Sequence, residues 1–255
     1  MVSNKEKIGI VILMTNAYLP LGVRFVKRFI QFYRGNRQIK FFLFADEDPK
    51  DYLPEGIDYE FIYTTNKSWV DGTNLKFNSI ISLEDRNVDF LMYTDADTNI
   101  DKEFTEDWFI GDLVGGQHYA DQSWMKDKKG FDRNPRSKAY IPYNTGLEET
   151  YFYGAILAGK KEKMIDMCKT LKEWQDADHQ VGYEAPVNDE SYVQRYFHFN
   201  RPKVISTSEF KFLISDKGGI GETRNMKLDI SKLKNDLKLH KNDNIDIQYG
   251  KVIVE

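Results

Sequence analysis

The stretch DFLMYTDAD (Asp89–Asp97) joins a short apolar run to a pair of acidic residues, and it gives the clearest indication of the fold. Phe90 to Tyr93 are all apolar or aromatic, which is typical of a strand buried on both faces of a sheet. Asp95 and Asp97 follow at once, where such a strand would stop. The stretch therefore predicts a buried strand that delivers two carboxylates to its carboxyl end.

The same pattern recurs on the amino-terminal side of this strand. Ile8–Leu13 and Ile39–Phe44 are apolar runs rich in branched or aromatic residues, and Ile57–Tyr63 is a weaker one. Between them, residues 20–33 carry an apolar stripe at helical spacing, and Leu75–Leu83 predicts a second helix. Strands that alternate with helices indicate an α/β fold, with a mainly parallel central sheet flanked by helices.

In open sheets of this type, ligands bind beyond the carboxyl ends of the strands. Thr15, Asp46 and Asp95 each follow a predicted strand closely in sequence. We therefore expect them to share one edge of the sheet.

The second half of the chain differs in character. Gln122–Glu149 is polar and long for a loop, which is typical of a functional or mobile segment. Tyr151–Leu157 is a compact apolar run, and residues 164–174 predict a helix with one apolar face. Asn188 or Asp189 is predicted to cap a further helix, because such side chains accept the first free N–H groups.

Composition argues against several classes of protein. The 255 residues include 36 basic and 40 acidic residues, giving a net charge of −4 without a polybasic stretch, so no nucleic-acid partner is expected. A single cysteine, Cys168, excludes an intrachain disulfide framework. Met1–Lys7 is polar and Ile8–Leu13 is too short for a signal core or membrane span, which predicts a cytoplasmic protein without a membrane anchor.

Asp95 and Asp97 are the first candidates for chemistry. Two carboxylates at positions i and i+2 leave a strand on the same side and can share Mn²⁺ or Mg²⁺, which prefer oxygen ligands and bridge phosphates. Such a cation neutralises a diphosphate leaving group. The alternative is a pair of turn residues, because aspartate is favoured in turns.

The run Asn188-Asp-Glu-Ser191 is the second candidate. Acids are stabilised at a helix amino terminus, so plain capping explains them equally well. The functional alternative is a carboxylate aimed at a sugar, as nucleophile or as stabiliser of an oxocarbenium-like centre.

Two further candidates lie in loops. Lys217 and Arg224 flank a glycine-rich segment that would either close over a diphosphate or form a plain turn. It lacks the strand context of a dinucleotide fingerprint.

His118 follows the apolar pair Leu113-Val114 and is expected to face the ligand-binding cleft at the edge of the sheet.

Taken together, the motifs resemble glycosyltransferase family 6, which includes the histo-blood-group A and B transferases, the α-1,3-galactosyltransferases and soluble bacterial and phage-type relatives. The match runs in order from about residue 8 to about residue 210. It rests on Thr15 and Tyr18, Phe44-Ala-Asp46, Ser68–Phe77 with its central Trp69, Asp89–Asp97, Arg133–Pro142, Tyr151–Gly159 and Asp189-Glu-Ser191.

The resemblance implies a GT-A type nucleotide-sugar fold. It also implies transfer, with retention of configuration, of galactose or N-acetylgalactosamine from a UDP-sugar to a glycan acceptor, at the 3-hydroxyl of a β-galactoside. Residues 1–225 would form one catalytic domain, with a nucleotide-binding half (1–98) and a donor-sugar and acceptor half (99–225). Residues 226–255 would be a charged extension.

Site residues follow from the same resemblance. Glu190 is the expected catalytic carboxylate, and it would contact the acceptor together with His118. Asp95 and Asp97 are the expected metal ligands. Lys217 and Arg224 lie beyond the matched region, and they are the expected phosphate loop because of the glycine-rich segment between them. The remaining donor-binding residues are expected to be Thr15, Tyr18, Trp69, Lys76, Asp95, Tyr153, Gly154, Ala155 and Asp189.

Several positions depart from the family pattern. Lys76 stands where the family usually has arginine, so a bidentate contact becomes a point charge. Asn188 and Val187 replace a histidine and a tryptophan, and the chain after Phe210 follows the family tail less closely. Both acids of the metal pair are kept, which predicts metal dependence. Ala155, where some members have glycine, leaves less room for an acetamido group and favours galactose.

Two other functions fit parts of the sequence. Asp95-Ala-Asp-Thr98 mimics the motif of haloacid-dehalogenase-type phosphatases, although that motif normally opens the chain and here 94 residues precede it. The departures at Lys76, Val187 and Asn188 also fit a non-catalytic relative that binds a UDP-sugar or glycan.

Overall fold

The computed structural model describes residues 6–66, 69–100, 102–117, 130–143, 145, 150–206, 210–212, 245–248 and 251–254. The C-terminal extension predicted for 226–255 is thus described only in its last two strands.

A seven-stranded sheet forms the centre of the molecule, with strand order β3-β2-β1-β4-β7-β6-β8. Its strands are β1 Lys7–Leu13, β2 Gln38–Ala45, β3 Tyr59–Tyr63, β4 Phe90–Asp95, β6 Leu113–Gln117, β7 Phe152–Lys160 and β8 Lys203–Ser206. Every neighbouring pair is parallel except the two pairs that involve β7, which runs antiparallel to β4 and β6. The predicted mainly parallel α/β sheet is confirmed.

Two small antiparallel sheets accompany it. They consist of β5 Thr98–Ile100 with β9 Phe210–Phe212, and of β10 Ile245–Gln248 with β11 Lys251–Val254.

Within the described residues, the helices that cover the sheet are α1 Leu19–Phe32, α2 Trp69–Ile81, α3 Lys161–Gln180 and α4 Asn188–Phe199. Pro20 lies in the first turn of α1, where its missing N–H costs nothing. Helix α2 begins six residues before the predicted start at Leu75. The polar run before Leu75 has no apolar periodicity that would have revealed this extra turn and a half.

The alternation of side chains in the strands divides the interior into two cores. Ile8, Ile10 and Ile12 of β1 pack with α1 on one face of the sheet. Val11 points to the other face, into a core with α2, α3 and α4. All four are fully buried, as expected for a central strand covered by helices on both sides.

The sheet opens where β4 ends. Leu13 pairs with Asp95 at the end of β1, which brings the residues after both strands to one edge. The ladder between β4 and β7 stops at Thr94 opposite Ile156. Since β7 begins at Phe152, its first residues extend beyond β4 and leave a gap in the sheet.

Candidate active site

A cavity of about 250 Å³ occupies this gap. The ends of β1 and β4, the start of β7, and helices α2 and α4 all contribute to its wall. The lining residues are Leu13, Thr15, Tyr18, Asn66, Gly72, Thr73, Lys76, Tyr93, Asp95, Ala96, Asp97, Tyr153, Gly154, Ala155, Val187, Asp189 and Glu190.

Side chains of α4 complete the edge of β7 that β4 leaves unpaired. Gln194 accepts a hydrogen bond from the Phe152 N–H (3.1 Å) and donates one to the Phe152 carbonyl. One turn earlier on the same helix face, Glu190 accepts the Gly154 N–H at 2.7 Å. The start of α4 is therefore fixed against β7 by hydrogen bonds to buried backbone.

Glu190 is held at both carboxylate oxygens. Its Oε1 accepts a hydrogen bond from the Tyr151 hydroxyl (2.6 Å), and its Oε2 accepts the Gly154 N–H. Burial raises the pKa of Glu190 to about 7, although these two hydrogen bonds oppose the shift. A carboxyl group that titrates near neutrality beside a cavity is suited to acid–base or nucleophilic work.

Lys76 connects the carboxylates of the site. Only 4% of the residue is exposed, and its ammonium donates to Asp189 and to the Gly154 carbonyl (3.0 Å). It also lies 3.5 Å from Asp95 Oδ1 and 4.9 Å from the centre of the Tyr93 ring. Burial lowers the pKa of Lys76, but the negative charges of Asp189 and Asp95 outweigh it and raise the pKa overall.

Asp189 is almost as buried as Lys76, with 5% of the residue exposed. Burial raises the pKa of Asp189, and the charge of Lys76 opposes the shift. Because a buried charge without a partner is costly, the ion pair keeps both groups charged inside the wall.

Asp95 and Asp97 are the carboxylates of this cavity that could hold a divalent cation together. Both carboxylates line the cavity, and Oδ1 of Asp95 accepts the Tyr93 hydroxyl at 2.8 Å. Burial and the nearby charge of Asp95 raise the pKa of Asp97 to about 7, a repulsion that a bound cation would relieve. Among the described residues no group of three or more His, Cys, Asp or Glu could hold a metal ion, so substrate oxygens and water would complete the ligand set.

The end of β1 forms the opposite wall. Thr15 donates its hydroxyl to the Asn66 carboxamide oxygen, which also accepts from Asn16 Nδ2 at 2.8 Å. Asn16 has a positive φ of 54°, and its N–H donates to Asp46 at 2.7 Å. Tyr18 follows directly and lines the cavity. Residues after β1 and β2 thus meet at one edge, as the strand pattern predicted for Thr15 and Asp46, and Asn66 after β3 joins them.

The capping prediction for α4 is wrong. Val187 occupies the N-cap position without a side-chain cap, and Asn188 follows with a φ of 43°. The carboxylates of Asp189 and Glu190 instead point at Lys76 and at β7. Ser191 accepts the Val187 N–H at 3.0 Å, so the hydroxyl of the first turn takes over part of the capping role.

Most predicted site residues lie together in the cavity wall. They are Thr15, Tyr18, Lys76, Asp95, Asp97, Tyr153, Gly154, Ala155, Asp189 and Glu190. His118, Lys217 and Arg224 lie outside the described residues, as does the side chain of Trp69. Their roles stay predictions.

Sequence reasoning missed Asn66, Tyr151 and Gln194 as parts of the site. Asn66 belongs to a polar run without periodicity, and Tyr151 and Gln194 look like ordinary core residues of a strand and a helix. No local signal shows that they meet Thr15, Glu190 and Phe152, which are 51, 39 and 42 residues distant.

The segment Arg133–Pro142, one of the motifs on which the resemblance rests, serves as a brace against α3. Asp178 of α3 accepts the Ser137 hydroxyl (2.8 Å) and the Lys138 N–H (2.9 Å). Arg133 donates to the carbonyl of Ile141 at 2.7 Å. None of these residues is among those that line the cavity. The segment therefore contributes to the structure around the site and not to its lining.

The α/β sheet, open at its carboxyl edge around paired acids, is that of a glycosyltransferase with a GT-A-like fold. Comparison of the sequence with known families agrees, since the model for glycosyltransferase family 6 matches residues 2–234. The chain belongs to glycosyltransferase family 6. The resemblance inferred from the motifs is confirmed, and the phosphatase alternative is left without support.

Similar curated proteins come from animals and a bacterium. Histo-blood group ABO system transferase 2 of Rattus norvegicus is 22% identical over 212 residues, covering 80% of this chain and 62% of the relative. Globoside alpha-1,3-N-acetylgalactosaminyltransferase 1 of Gallus gallus is 25% identical over 227 residues, covering 78% and 64%. O-antigen biosynthesis glycosyltransferase WbnI of Escherichia coli is 25% identical over 174 residues, covering 66% and 71%.

The chain therefore spans a little under two thirds of the length of the two animal relatives. Within the part of the chain that the structure describes, no helix is both long and apolar enough to cross a membrane.

Proposed function

We propose that the protein is a retaining, metal-dependent hexosyltransferase. It would move galactose, or N-acetylgalactosamine, from a UDP-sugar to a hydroxyl of a glycan, with an α-1,3 linkage to a β-galactoside. The observation that carries this proposal is the arrangement of one cavity. Glu190, held at both oxygens, shares its wall with the acid pair Asp95 and Asp97 and with the buried cation of Lys76.

Each of these groups has a role in the proposed reaction. Asp95 and Asp97 would bind Mn²⁺ or Mg²⁺. When bound, the cation would supply positive charge to the diphosphate leaving group. Lys217 and Arg224 are proposed to close over the same diphosphate. Fixed charges of this kind stabilise a transition state because they need no reorganisation as the bond breaks.

Glu190 would act on the sugar. The bond between the anomeric carbon and the diphosphate oxygen breaks, and its electron pair leaves with UDP. The acceptor hydroxyl oxygen then bonds to the anomeric carbon and loses its proton. Glu190 would either form a glycosyl ester between these events or stabilise the positive charge while the acceptor attacks. Both roles require the ionised carboxylate.

The donor sugar would lie against Asp189 and the start of β7. Asp189 is proposed to accept hydrogen bonds from sugar hydroxyls while Lys76 holds it in place. Tyr153 and Ala155 line the same wall and are buried, with 3% and 4% of each residue exposed. A methyl group at position 155 takes space that an acetamido group would need, so UDP-galactose is the favoured donor. Ala155→Gly should shift preference towards UDP-N-acetylgalactosamine.

The test is transfer to a fluorescent β-galactoside from UDP-galactose and UDP-N-acetylgalactosamine, with Mn²⁺ present. Proton NMR of the product reports the linkage and the anomeric configuration. An α-linked product that disappears in Glu190→Gln, but persists in the exposed control Glu84→Gln, is the expected result. Binding of a UDP-sugar without transfer or hydrolysis would instead favour a non-catalytic relative, and a β-linked product would exclude retention.

A further inference from the structure

Tyr151 contacts the Glu190 carboxylate through its hydroxyl group. Its hydroxyl donates to Oε1 at 2.6 Å, while the Gly154 N–H donates to Oε2 at 2.7 Å. Tyr151 and Gly154 are three residues apart in the chain, so the segment leading into β7 supplies both donors. The two bonds fix the plane of the carboxylate relative to the sheet.

The Tyr151 ring is itself held from several sides. Only 1% of the residue is exposed, and the ring packs against Phe131 with 5.4 Å between centroids. Gly130 lies under the ring, where a Cβ atom would come within 2.5 Å of it. Ile141 completes this small core. Because close-packed rings have little freedom to move, the hydroxyl stays near one position.

The brace behind this small core connects it to α3. Asp178 anchors Ser137 and Lys138 of the segment that ends in Ile141. The chain of contacts therefore runs from α3, through the brace, to Tyr151 and then to Glu190.

We propose that Tyr151 is a positioning residue, which holds the Glu190 carboxylate in its ionised form and aims it at the donor sugar. This role rests on the proposed function of Glu190. A hydrogen bond to a charged acceptor is stronger than one between neutral groups, and it favours the charged form of the acceptor. Tyr151 would thus set the pH at which Glu190 becomes active.

The other charged groups around Glu190 oppose one another. Burial raises the pKa of Glu190, Tyr151 and the Gly154 N–H lower it, Asp189 raises it and Lys76 lowers it. Removal of the Tyr151 hydroxyl takes away a leading contribution that lowers this pKa. The acidic limb of the activity profile should therefore move to higher pH.

The experiment compares Tyr151→Phe with Tyr192→Phe. Tyr192 is an equally buried tyrosine whose hydroxyl donates to Asp178 at 3.1 Å and makes no described contact with Glu190. Both variants lose one hydroxyl that is bonded to a carboxylate, so Tyr192→Phe reports the structural effect of such a loss, including any loosening of the segment that Asp178 anchors. UDP release from the preferred donor is measured from pH 5 to 9 at saturating Mn²⁺, which keeps Asp95 and Asp97 ionised.

For Tyr151→Phe we expect kcat to fall between about tenfold and a hundredfold, as for loss of a hydrogen bond to a charged group. KM for the donor should change less than kcat, and the acidic limb should shift up by about one pH unit. Tyr192→Phe should keep the wild-type limb. An unshifted limb and unchanged kcat in folded Tyr151→Phe would overturn the role of Tyr151 while wild-type activity upholds the proposed function.

Wild-type protein that releases UDP from no donor would refute the proposed function, and with it the role of Tyr151. If Tyr151→Phe does not fold, Gly154→Ala takes its place, since it disturbs the other oxygen of the same carboxylate. A shifted acidic limb in Gly154→Ala would support the proposal that the two hydrogen bonds to the Glu190 carboxylate set its pKa. An unchanged limb would refute it.

Discussion

Gly154→Ala should disable the enzyme through a contact of well-defined size. A Cβ atom at position 154 would lie 2.8 Å from Cβ of Glu190, 3.0 Å from its Cγ and 3.0 Å from its Oε2. Comfortable contacts between carbon atoms begin near 3.5 Å. The start of α4 must therefore retreat from β7 by about 0.7 Å, because a change of the Glu190 rotamer would move its Cγ and Oε2 but not its Cβ.

The size of the effect follows from this displacement. A shift of that size breaks or lengthens the bond from the Gly154 N–H to Glu190, now 2.7 Å. Misplacement of a catalytic group by about 1 Å can reduce the rate about a hundredfold, and we expect a loss of that order in kcat. Overpacking of this kind costs about 1–3 kcal/mol of stability. For a chain of this size, that lowers the melting temperature by about 2–10 °C.

The assay compares UDP release and thermal melting in Gly154→Ala and in Gly9→Ala. Gly9 lies in the middle of β1, where a Cβ would meet the Phe42 ring at 2.7 Å and Leu91 at 2.9 Å. That clash is of similar size but does not involve the cavity. Gly9→Ala should therefore lose stability to a similar degree while it keeps kcat within about threefold at a temperature where it is folded.

Two results would refute this reasoning. Gly154→Ala could keep wild-type kcat while folded, in which case the position of Glu190 does not govern the rate. Alternatively, Gly9→Ala could lose as much kcat as Gly154→Ala, in which case the effect reflects general strain in the sheet.

Three further predictions concern the walls of the cavity. Lys76→Met leaves Asp189 buried without its cation and should destabilise the fold by about 3–5 kcal/mol, measured by urea unfolding; an unchanged midpoint would contradict the buried ion pair. Burial raises the pKa of Glu190 to about 7, and its proposed role requires the ionised form. UDP release at saturating Mn²⁺ should therefore fall as the pH drops through about 7, and a rate that does not change down to pH 5 would contradict this role. Asn66→Ala removes the acceptor of the Thr15 hydroxyl and should raise KM for the UDP-sugar by about fivefold to thirtyfold with little change in kcat, whereas an unaltered KM would remove this wall from donor binding.

The central sheet could be predicted because each strand carries its own signal. Ile8–Leu13 and Phe90–Tyr93 are short apolar runs, and burial on both faces of a parallel sheet requires such runs. The placement of Asp95 at the sheet edge followed from its position just after the apolar run Phe90–Tyr93. Boundaries were less predictable, because the first turns of α2 contain polar residues whose helical state depends on tertiary packing.

The candidate site was predictable only where a motif is local. Asp95 with Asp97, and Asp189 with Glu190, are neighbours in sequence, so their pattern is visible. The hydrogen bond from Tyr151 to Glu190 joins residues that are 39 apart in the chain, and neither residue type indicates that the other lies nearby. The wrong capping prediction has the same origin, since only the fold shows that the acids of α4 face β7 and Lys76.

The brace over Arg133–Pro142 illustrates the difference between a recognisable motif and a reacting group. Ser137 and Arg133 supply side-chain donors to Asp178 and to the Ile141 carbonyl, whereas Lys138 contributes only its backbone N–H. Hydrogen-bond networks of this kind occur in supporting segments as well as in active sites.

The most direct test of the proposed active site is UDP release, without acceptor, from a panel of UDP-sugars in Mn²⁺ and in a chelator. Asp97→Asn is compared with Asp112→Asn, which changes an exposed aspartate paired with Lys160 far from the cavity. Release from UDP-galactose that collapses on chelation and in Asp97→Asn, but not in Asp112→Asn, is the predicted result. Release that persists in the chelator and in Asp97→Asn would contradict the metal role of Asp95 and Asp97. No release from any UDP-sugar by the folded protein would contradict the proposed function as a UDP-sugar hexosyltransferase.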